Sequence, residues 1–394
     1  VGDLNPESGV ITGELTSEQT IPFLPQAVEL PRARTRGEAP RQVGPYMLGE
    51  RLGAGGMAEV HVAERVGPHG FRKQVALKRL LPHAAMDPEH VRMFLDEARV
   101  VAGLHHPNIA SIFDFGVAGR EYFMSMELVR GPTLKQLVEH CEDTVGLIPY
   151  PVVVALLVQV CEALQCAHEA GVIHRDVSPA NVIVSSDGVA KLIDFGVCKT
   201  IGNDTSTGVI KGKFGYIAPE YLDGKIDCRA DLWALGVVAY ELLTNRRLFD
   251  GDEVSTLYQI REASIDLPSH INPDVPPELD AIVMTALQRD PEQRWQNAGA
   301  LRNALCGLDY STRVDVIEWI EWAFQQQEKA VPHQPQKKNR LRTMTEMILF
   351  GRKTPDIGAA MVSRRLKSRR RGRVMASLAL LAGAAATAAC VGYL

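Results

Sequence analysis

The chain has 394 residues, 46% of them apolar, enough for two lobes or two modest domains with a real core and for appendages besides. Its net charge of -4 hides an asymmetry: residues 331–373 carry 13 Lys/Arg against 2 Asp/Glu, so the acidic remainder and this basic stretch face different partners. Seven cysteines form no C-x-x-C pair and no Cys/His cluster with zinc spacing, which argues against a metal ribbon and for reduced cytosolic thiols.

Residues 1–45 are rich in Pro, Glu, Gly and Thr with little periodicity, the composition of a disordered tail that cannot repay its ordering entropy. The apolar run near Ile21 is broken by Pro22 and Pro25, so no signal peptide is expected. From Tyr46 the pattern alternates with period two, and again over Phe71 to Leu80, with Gly67-Pro68-His69-Gly70 between; a small antiparallel sheet is predicted. Gly53-Ala54-Gly55-Gly56 falls between two strands. A Rossmann fingerprint runs from strand into helix, so a hairpin covering a nucleotide fits better. Lys78 ends a strand, and residues 87–104 have helical period, with Pro88 in the first turn, Gly103 near the end, and Met93, Glu97, Val100 and Val101 as an inward stripe. A strand-turn-strand run over 112–131 contains Asp114-Phe115-Gly116. An amphipathic helix over 151–168 places Val154, Leu157, Val158, Cys161 and Leu164 on its core face.

Residues 171–196 read as a polar loop, an apolar run Val182-Ile183-Val184, a turn at Asp187-Gly188, and a second run ending on Asp194. This hairpin carries Asp176 and Asn181 before it and Asp194 after it. Such an oxygen-donor pair suits Mg²⁺, a hard ion that completes its shell with water and phosphate. A long polar loop with Thr200, Thr205, Ser206 and Thr207 follows, and residues 230–244 are apolar nearly all round, marking a buried central helix. After a loosely helical extension over 308–330 comes the basic linker, ending in the arginine cluster at 364–373. Residues 374–394 then carry no charge over 21 positions, enough for about 30 Å of helix. Arginines directly before such a span predict a single-pass anchor in the cell membrane with the preceding domain cytoplasmic, the basic linker lying against anionic lipid. No aromatics interleave with the basic run, so nucleic acid is not expected as a partner.

His174-Arg175-Asp176 with Asn181, then Asp194-Phe195-Gly196, resembles the catalytic core of eukaryotic-like protein kinases. The resemblance covers about residues 46–307 and implies an α+β, two-lobe protein kinase fold, with a β-rich N-lobe over 46–129, a helical C-lobe and ATP in the cleft; the uncharged span 374–394 adds the expected C-terminal transmembrane helix beyond the domain. It implies that Leu52, Gly53, Gly55, Gly56 and Val60 cover ATP, with Ala58 standing where the third glycine is usual. Lys78 would pair the phosphates while held by Glu97, its neighbour Asp96 being the competing choice. Met126 takes the gatekeeper place, and Glu127 to Val129 the adenine-binding hinge. Asp176 would accept or orient the acceptor proton, and Asn181 with Asp194 would hold Mg²⁺. Asp231 would brace the catalytic loop and Arg294 would pair with Glu220 of Ala218-Pro219-Glu220, features that small-molecule kinases of related fold usually lack. Gly53 to Met57 is similar to the glycine loop of bacterial members, many of them membrane-anchored. The expected reaction is transfer of the ATP γ-phosphoryl group to Ser or Thr of protein substrates, with autophosphorylation at 205–207; the alternative is a membrane-tethered pseudokinase scaffold.

Beyond Ala58, two departures from the family pattern bear on mechanism. Ser178 stands where Ser/Thr kinases carry lysine, and Lys213 follows Gly212 where they tend to carry threonine. Lys213 approaches the same cleft, so it is expected to restore the missing positive charge as a catalytic residue. The competing reading is decay of both positions, but Lys78, Glu97, Asp176, Asn181 and Asp194 are all kept.

Overall fold

The computed structural model describes residues 41–196 and 214–329. The chain divides into two units, residues 1–317 and 318–394. The first begins with a six-stranded antiparallel sheet built from β1 (Gln42–Val43), β2 (Tyr46–Ala54), β3 (Ala58–Val66), β4 (Arg72–Leu80), β5 (Ile112–Ala118) and β6 (Glu121–Met126), in the order β1-β2-β3-β4-β6-β5. Side chains alternate across it, as the period-two pattern demands. On one face Ala76, Leu80, Met124 and Met126 pack against Phe94 and Ala98 of helix α1 (Pro88–Ala102). The other face gathers Val43, Tyr46, Ala63, Val75, Leu77 and Phe123.

This second cluster takes in the last residues of the tail expected over 1–45, which are ordered. Val43 is buried and β1 pairs with β2, because a single apolar residue beside Tyr46 has Phe123 to cover it. Composition averages over too long a window to show so short a strand. Residues 1–40 lie outside the described residues.

In α1 the buried stripe is Phe94, Ala98 and Val101; of the expected set only Val101 belongs to it. Met93, Glu97 and Val100 are half-buried at its edge. A carboxylate at the centre of that stripe would be costly; at the edge Glu97 reaches into the cleft beside the sheet. Asp96 instead pairs with Arg99 at 3.2 Å on the surface, which removes it as the competing choice.

The remaining elements of the first unit are α2 (Leu134–Asp143), α3 (Tyr150–Glu169), a hairpin of β7 (Val182–Val184) and β8 (Ala190–Leu192), α4 (Arg229–Thr244), α5 (Glu253–Glu262), α6 (Pro268–Ile271), α7 (Pro277–Ala286) and α8 (Ala298–Cys306). Helix α9 (Arg313–Lys329) lies in the expected extension and runs on into the second unit. The one-sided stripe predicted for α3 is too narrow: its residues from Pro151 to Cys161 are buried on every side. Among the described residues it is the one helix apolar and long enough to cross a membrane, and it is instead mostly buried inside the protein. In α4 every residue from Ala230 to Thr244 is buried, as predicted. Gly131 joins the two lobes with φ +151° and backbone so close to Val184 that a Cβ would overlap its carbonyl oxygen, so only glycine allows this crossing. The basic linker, the apolar span 374–394, Lys213 and the loop hydroxyls Thr200, Thr205, Ser206 and Thr207 lie outside the described residues.

Candidate active site

The β7–β8 hairpin pairs Val182 with Leu192 and Val184 with Ala190, which returns the chain to its starting point. Just past the ladder the Ile193 N–H donates to the Asn181 carbonyl at 2.9 Å, and the Gly196 N–H donates to the His174 carbonyl at 2.8 Å. Asp194 is thereby carried back against the loop that holds Asp176. Within that loop the Asn181 Nδ2 donates at 2.8 Å both to the Asp176 carbonyl and to its Oδ2.

The loop rests on Asp231 of α4, 1% exposed. Its carboxylate accepts from the His174 N–H, the Arg175 N–H and His168 Nε2, each at 2.8 Å. Three donors to one buried carboxylate outweigh the strain at Arg175, whose φ of 62° is left-handed and costs about 1–2 kcal/mol for a non-glycine residue. Asp194 has φ 54°, the same kind of strain at the other end of the hairpin. Phe195, 2% exposed, packs on the His174 ring at 4.4 Å between centroids and anchors that turn.

The sheet supplies the cation. Lys78 on β4 lies opposite Val60 of β3, and its Nζ reaches Glu97 Oε1 at 2.7 Å and Asp194 Oδ1 at 3.1 Å. Burial by itself would lower the pKa of this ammonium, but the Asp194 and Glu97 carboxylates overcome it and hold the pKa above its ordinary value. Lys78 therefore stays charged and ties sheet, α1 and hairpin together.

At the junction of the lobes, the Glu127 N–H donates to the Ser111 carbonyl at 2.8 Å; the Val129 N–H and carbonyl make no backbone bond among the described residues. The Glu127 carboxylate also takes the Ser111 N–H at 3.3 Å and Lys191 Nζ at 3.0–3.1 Å, linking the hinge to β8 two residues from Ile193. Sequence reasoning found Glu127 but not Lys191; its place on a strand leading to Asp194 was the available signal. It also missed Asn108, buried, whose Nδ2 donates to Gln159 Oε1 at 3.1 Å and to the Ala190 carbonyl at 2.9 Å, steadying β8 from the other side. Further out, Arg294 is fully buried and grips Glu220 in a bidentate pair of 2.7 and 3.0 Å. The expected pairing is thus in place.

The donor set fits Mg²⁺ and a nucleotide. Asn181 engages Asp176 through its nitrogen, which leaves its amide oxygen, a hard donor of the kind Mg²⁺ takes, outside that contact. Leu52 is exposed over the cleft-side hairpin, and Gly53 has no heavy atom within 4 Å of where a Cβ would stand and an ordinary φ. Neither packing nor backbone demands glycine there, so the chain at Gly53 is open to close approach by a ligand. Ser178 is 3% exposed, and its hydroxyl has no hydrogen-bond partner among the described residues.

A two-lobed fold with this lysine, carboxylate and catalytic-loop arrangement defines a protein kinase, and the family model for the protein kinase domain matches residues 46–305. The chain is 40% identical over 274 residues to the tyrosine-protein kinase MasK of Myxococcus xanthus, covering 66% of this chain and 42% of that protein. It is 39% identical over 267 residues to the serine/threonine-protein kinase PknB of Mycobacterium leprae, covering 65% and 42%. The PknI kinase domain of Mycobacterium tuberculosis superposes with a TM-score of 0.55 at 29% identity, over 69% of this chain and 99% of that one. The chain belongs to the protein kinase family, and its kinase domain is of the bacterial serine/threonine, PknB-like type. The match spans less than half the length of these curated relatives.

Proposed function

We propose that the whole protein transfers the ATP γ-phosphoryl group to Ser or Thr hydroxyls of protein substrates, itself included, from a domain held at the membrane. The observation that carries this reading is the unbroken chain of contacts from Glu97 through Lys78 to Asp194, with Asp176 and Asn181 bound to each other alongside. In such enzymes positioning and charge stabilisation do most of the work.

ATP lies under the hairpin of Leu52, Gly53, Gly55, Gly56 and Val60, with adenine against the backbone of Glu127 to Val129. Lys78, fixed by Glu97, grips the phosphates. Asn181 and Asp194 are the side chains that hold Mg²⁺, which neutralises phosphate charge when bound. Asp176, oriented by the Asn181 amide, takes or directs the proton of the acceptor hydroxyl. Lys213 stands in for the lysine that Ser178 replaces. Ser178 itself supports the view that this wall of the cleft lacks its usual cation, since a serine cannot supply a positive charge. The membrane part of the proposal rests on sequence alone: arginines at 364–373 followed by the uncharged span 374–394. Removing 374–394 is expected to shift the protein from the membrane pellet to the soluble fraction with activity kept.

Incubation with γ-³²P-labelled ATP and Mg²⁺, for wild type and Lys78→Met, tests the reaction. Label transfer by wild type alone is expected. ATP binding without transfer by the wild type would overturn it in favour of a binding-only pseudokinase, the reading that Ser178 favours. For the compensating cation, Lys213→Thr should be severely impaired and Ser178→Lys with Lys213→Thr largely restored; simple additivity would remove Lys213 from the mechanism.

A further inference from the structure

The tip of the glycine hairpin has few attachments. The Gly55 N–H closes the turn on the Ala58 carbonyl at 2.7 Å, which is internal to the hairpin. Among the described residues, the other two bonds to the tip come from the segment between β4 and α1. There the Leu81 N–H donates to the Met57 carbonyl at 2.8 Å, and His83 Nε2 stands 2.9 Å from the Gly56 carbonyl. A carbonyl only accepts, so His83 is the donor, in its Nε2–H tautomer or its protonated form.

We infer that His83 is a positioning residue for the nucleotide phosphates, acting by fixing the orientation of the Gly56–Met57 peptide. A trans peptide is planar, with its carbonyl and N–H pointing in opposite directions. When His83 holds the Gly56 carbonyl, the Met57 N–H is turned the opposite way. That N–H makes no backbone hydrogen bond among the described residues. A peptide flanked by glycine rotates easily, and Gly55 and Gly56 offer little steric resistance, so an outside bond is what selects one orientation. The same segment supports α1: Ala84 is buried in the cluster that holds Phe94 and Met57, and the Asp87 side chain caps α1 by accepting the Glu89 N–H at 2.9 Å. The strap and the helix bearing Glu97 therefore share one short support, and the glycine hairpin and the Lys78–Glu97 pair are set together.

The inference rests on the proposed ATP site. Affinity for ATP and for adenosine, measured by calorimetry on the full chain, separates the two. His83 is exposed, so His83→Ala should fold normally, with its melting temperature as the check. ATP affinity is expected to fall about three- to tenfold, the worth of one modest hydrogen bond, while adenosine affinity stays unchanged. In turnover the loss should appear in KM for ATP more than in kcat. His83→Gln, whose amide reaches about as far as Nε2, should restore ATP affinity. Equal loss for ATP and adenosine, or no loss for either, would overturn the strap. Absence of ATP binding by wild type would instead overturn the nucleotide site beneath it.

Discussion

Asp114-Phe115-Gly116 and Asp194-Phe195-Gly196 are the same three residues in two regions, and almost nothing else about them agrees. The first lies within β5, where Asp114 and Phe115 are paired to Ser125 and Met124 of β6, and the Asp114 carboxylate accepts from the Tyr46 hydroxyl at 3.2 Å. The second stands just beyond the β7–β8 ladder, where Asp194 takes φ 54° and meets Lys78. Phe115 is 40% exposed on the sheet edge, whereas Phe195 is 2% exposed against His174. At Gly116 an added Cβ would press on the Phe123 ring at 3.0 Å; the Gly196 N–H instead binds the catalytic loop. The tripeptide has no meaning by itself. Partners far away in sequence, Lys78 and His174 in one case and Tyr46 in the other, decide whether its aspartate is chemistry or architecture.

The widest gap between the two regions should appear in phosphoryl transfer. Asp194→Asn is expected to lower the rate by about 10²- to 10³-fold through loss of charge stabilisation at the phosphates. Asp114→Asn should stay within about twofold of wild type in the same assay, and a dead Asp114→Asn enzyme would exchange the two roles. Next comes stability in denaturant unfolding. Phe195→Ala should cost about 3–5 kcal/mol, because a buried ring is lost, against about 0.5 kcal/mol for Phe115→Ala. Smaller still is Tyr46→Phe, which should cost about 1 kcal/mol by removing the hydroxyl shared between Ser125, at 2.8 Å, and Asp114, with transfer activity unchanged.

The smallest expected effect is a pH dependence at that same hydroxyl. Burial, and then the Asp114 charge, raise the Tyr46 pKa above its ordinary value, so the folded protein favours the neutral phenol. That contribution is complete below the unfolded pKa and is lost as pH rises through the higher folded one. The melting temperatures of wild type and Tyr46→Phe should therefore converge above about pH 10. A difference that stayed constant to pH 11 would mean that Tyr46 is not held neutral by its surroundings.

Much of this site was legible because its spacing is local. Asp176, Asn181 and Asp194 lie on one loop and hairpin, where turn chemistry and period-two patterning fix proximity without knowledge of the rest of the fold. Lys78 and Glu97 were legible as a pair through the family resemblance, but the stripe in α1 was right only at Val101, since Glu97 belongs to the edge of the buried face and not to its centre. α3 is so apolar that periodicity could not reveal how many neighbours surround it. β1 is too short for a compositional window. The pairings of Glu127 with Lys191, Asn108 with Gln159, and His83 with Gly56 were not legible, because each joins polar side chains or backbone from distant segments and leaves no periodic trace, although Glu127 itself was found.

The most direct test of the account is phosphoamino-acid analysis of protein labelled with γ-³²P ATP and Mg²⁺, for wild type and Asp176→Asn. Phosphoserine or phosphothreonine from wild type, and loss of label in Asp176→Asn with ATP binding retained, is the predicted result. Phosphotyrosine as the main product would contradict the acceptor class, and equal labelling of the two proteins would contradict the catalytic role given to Asp176.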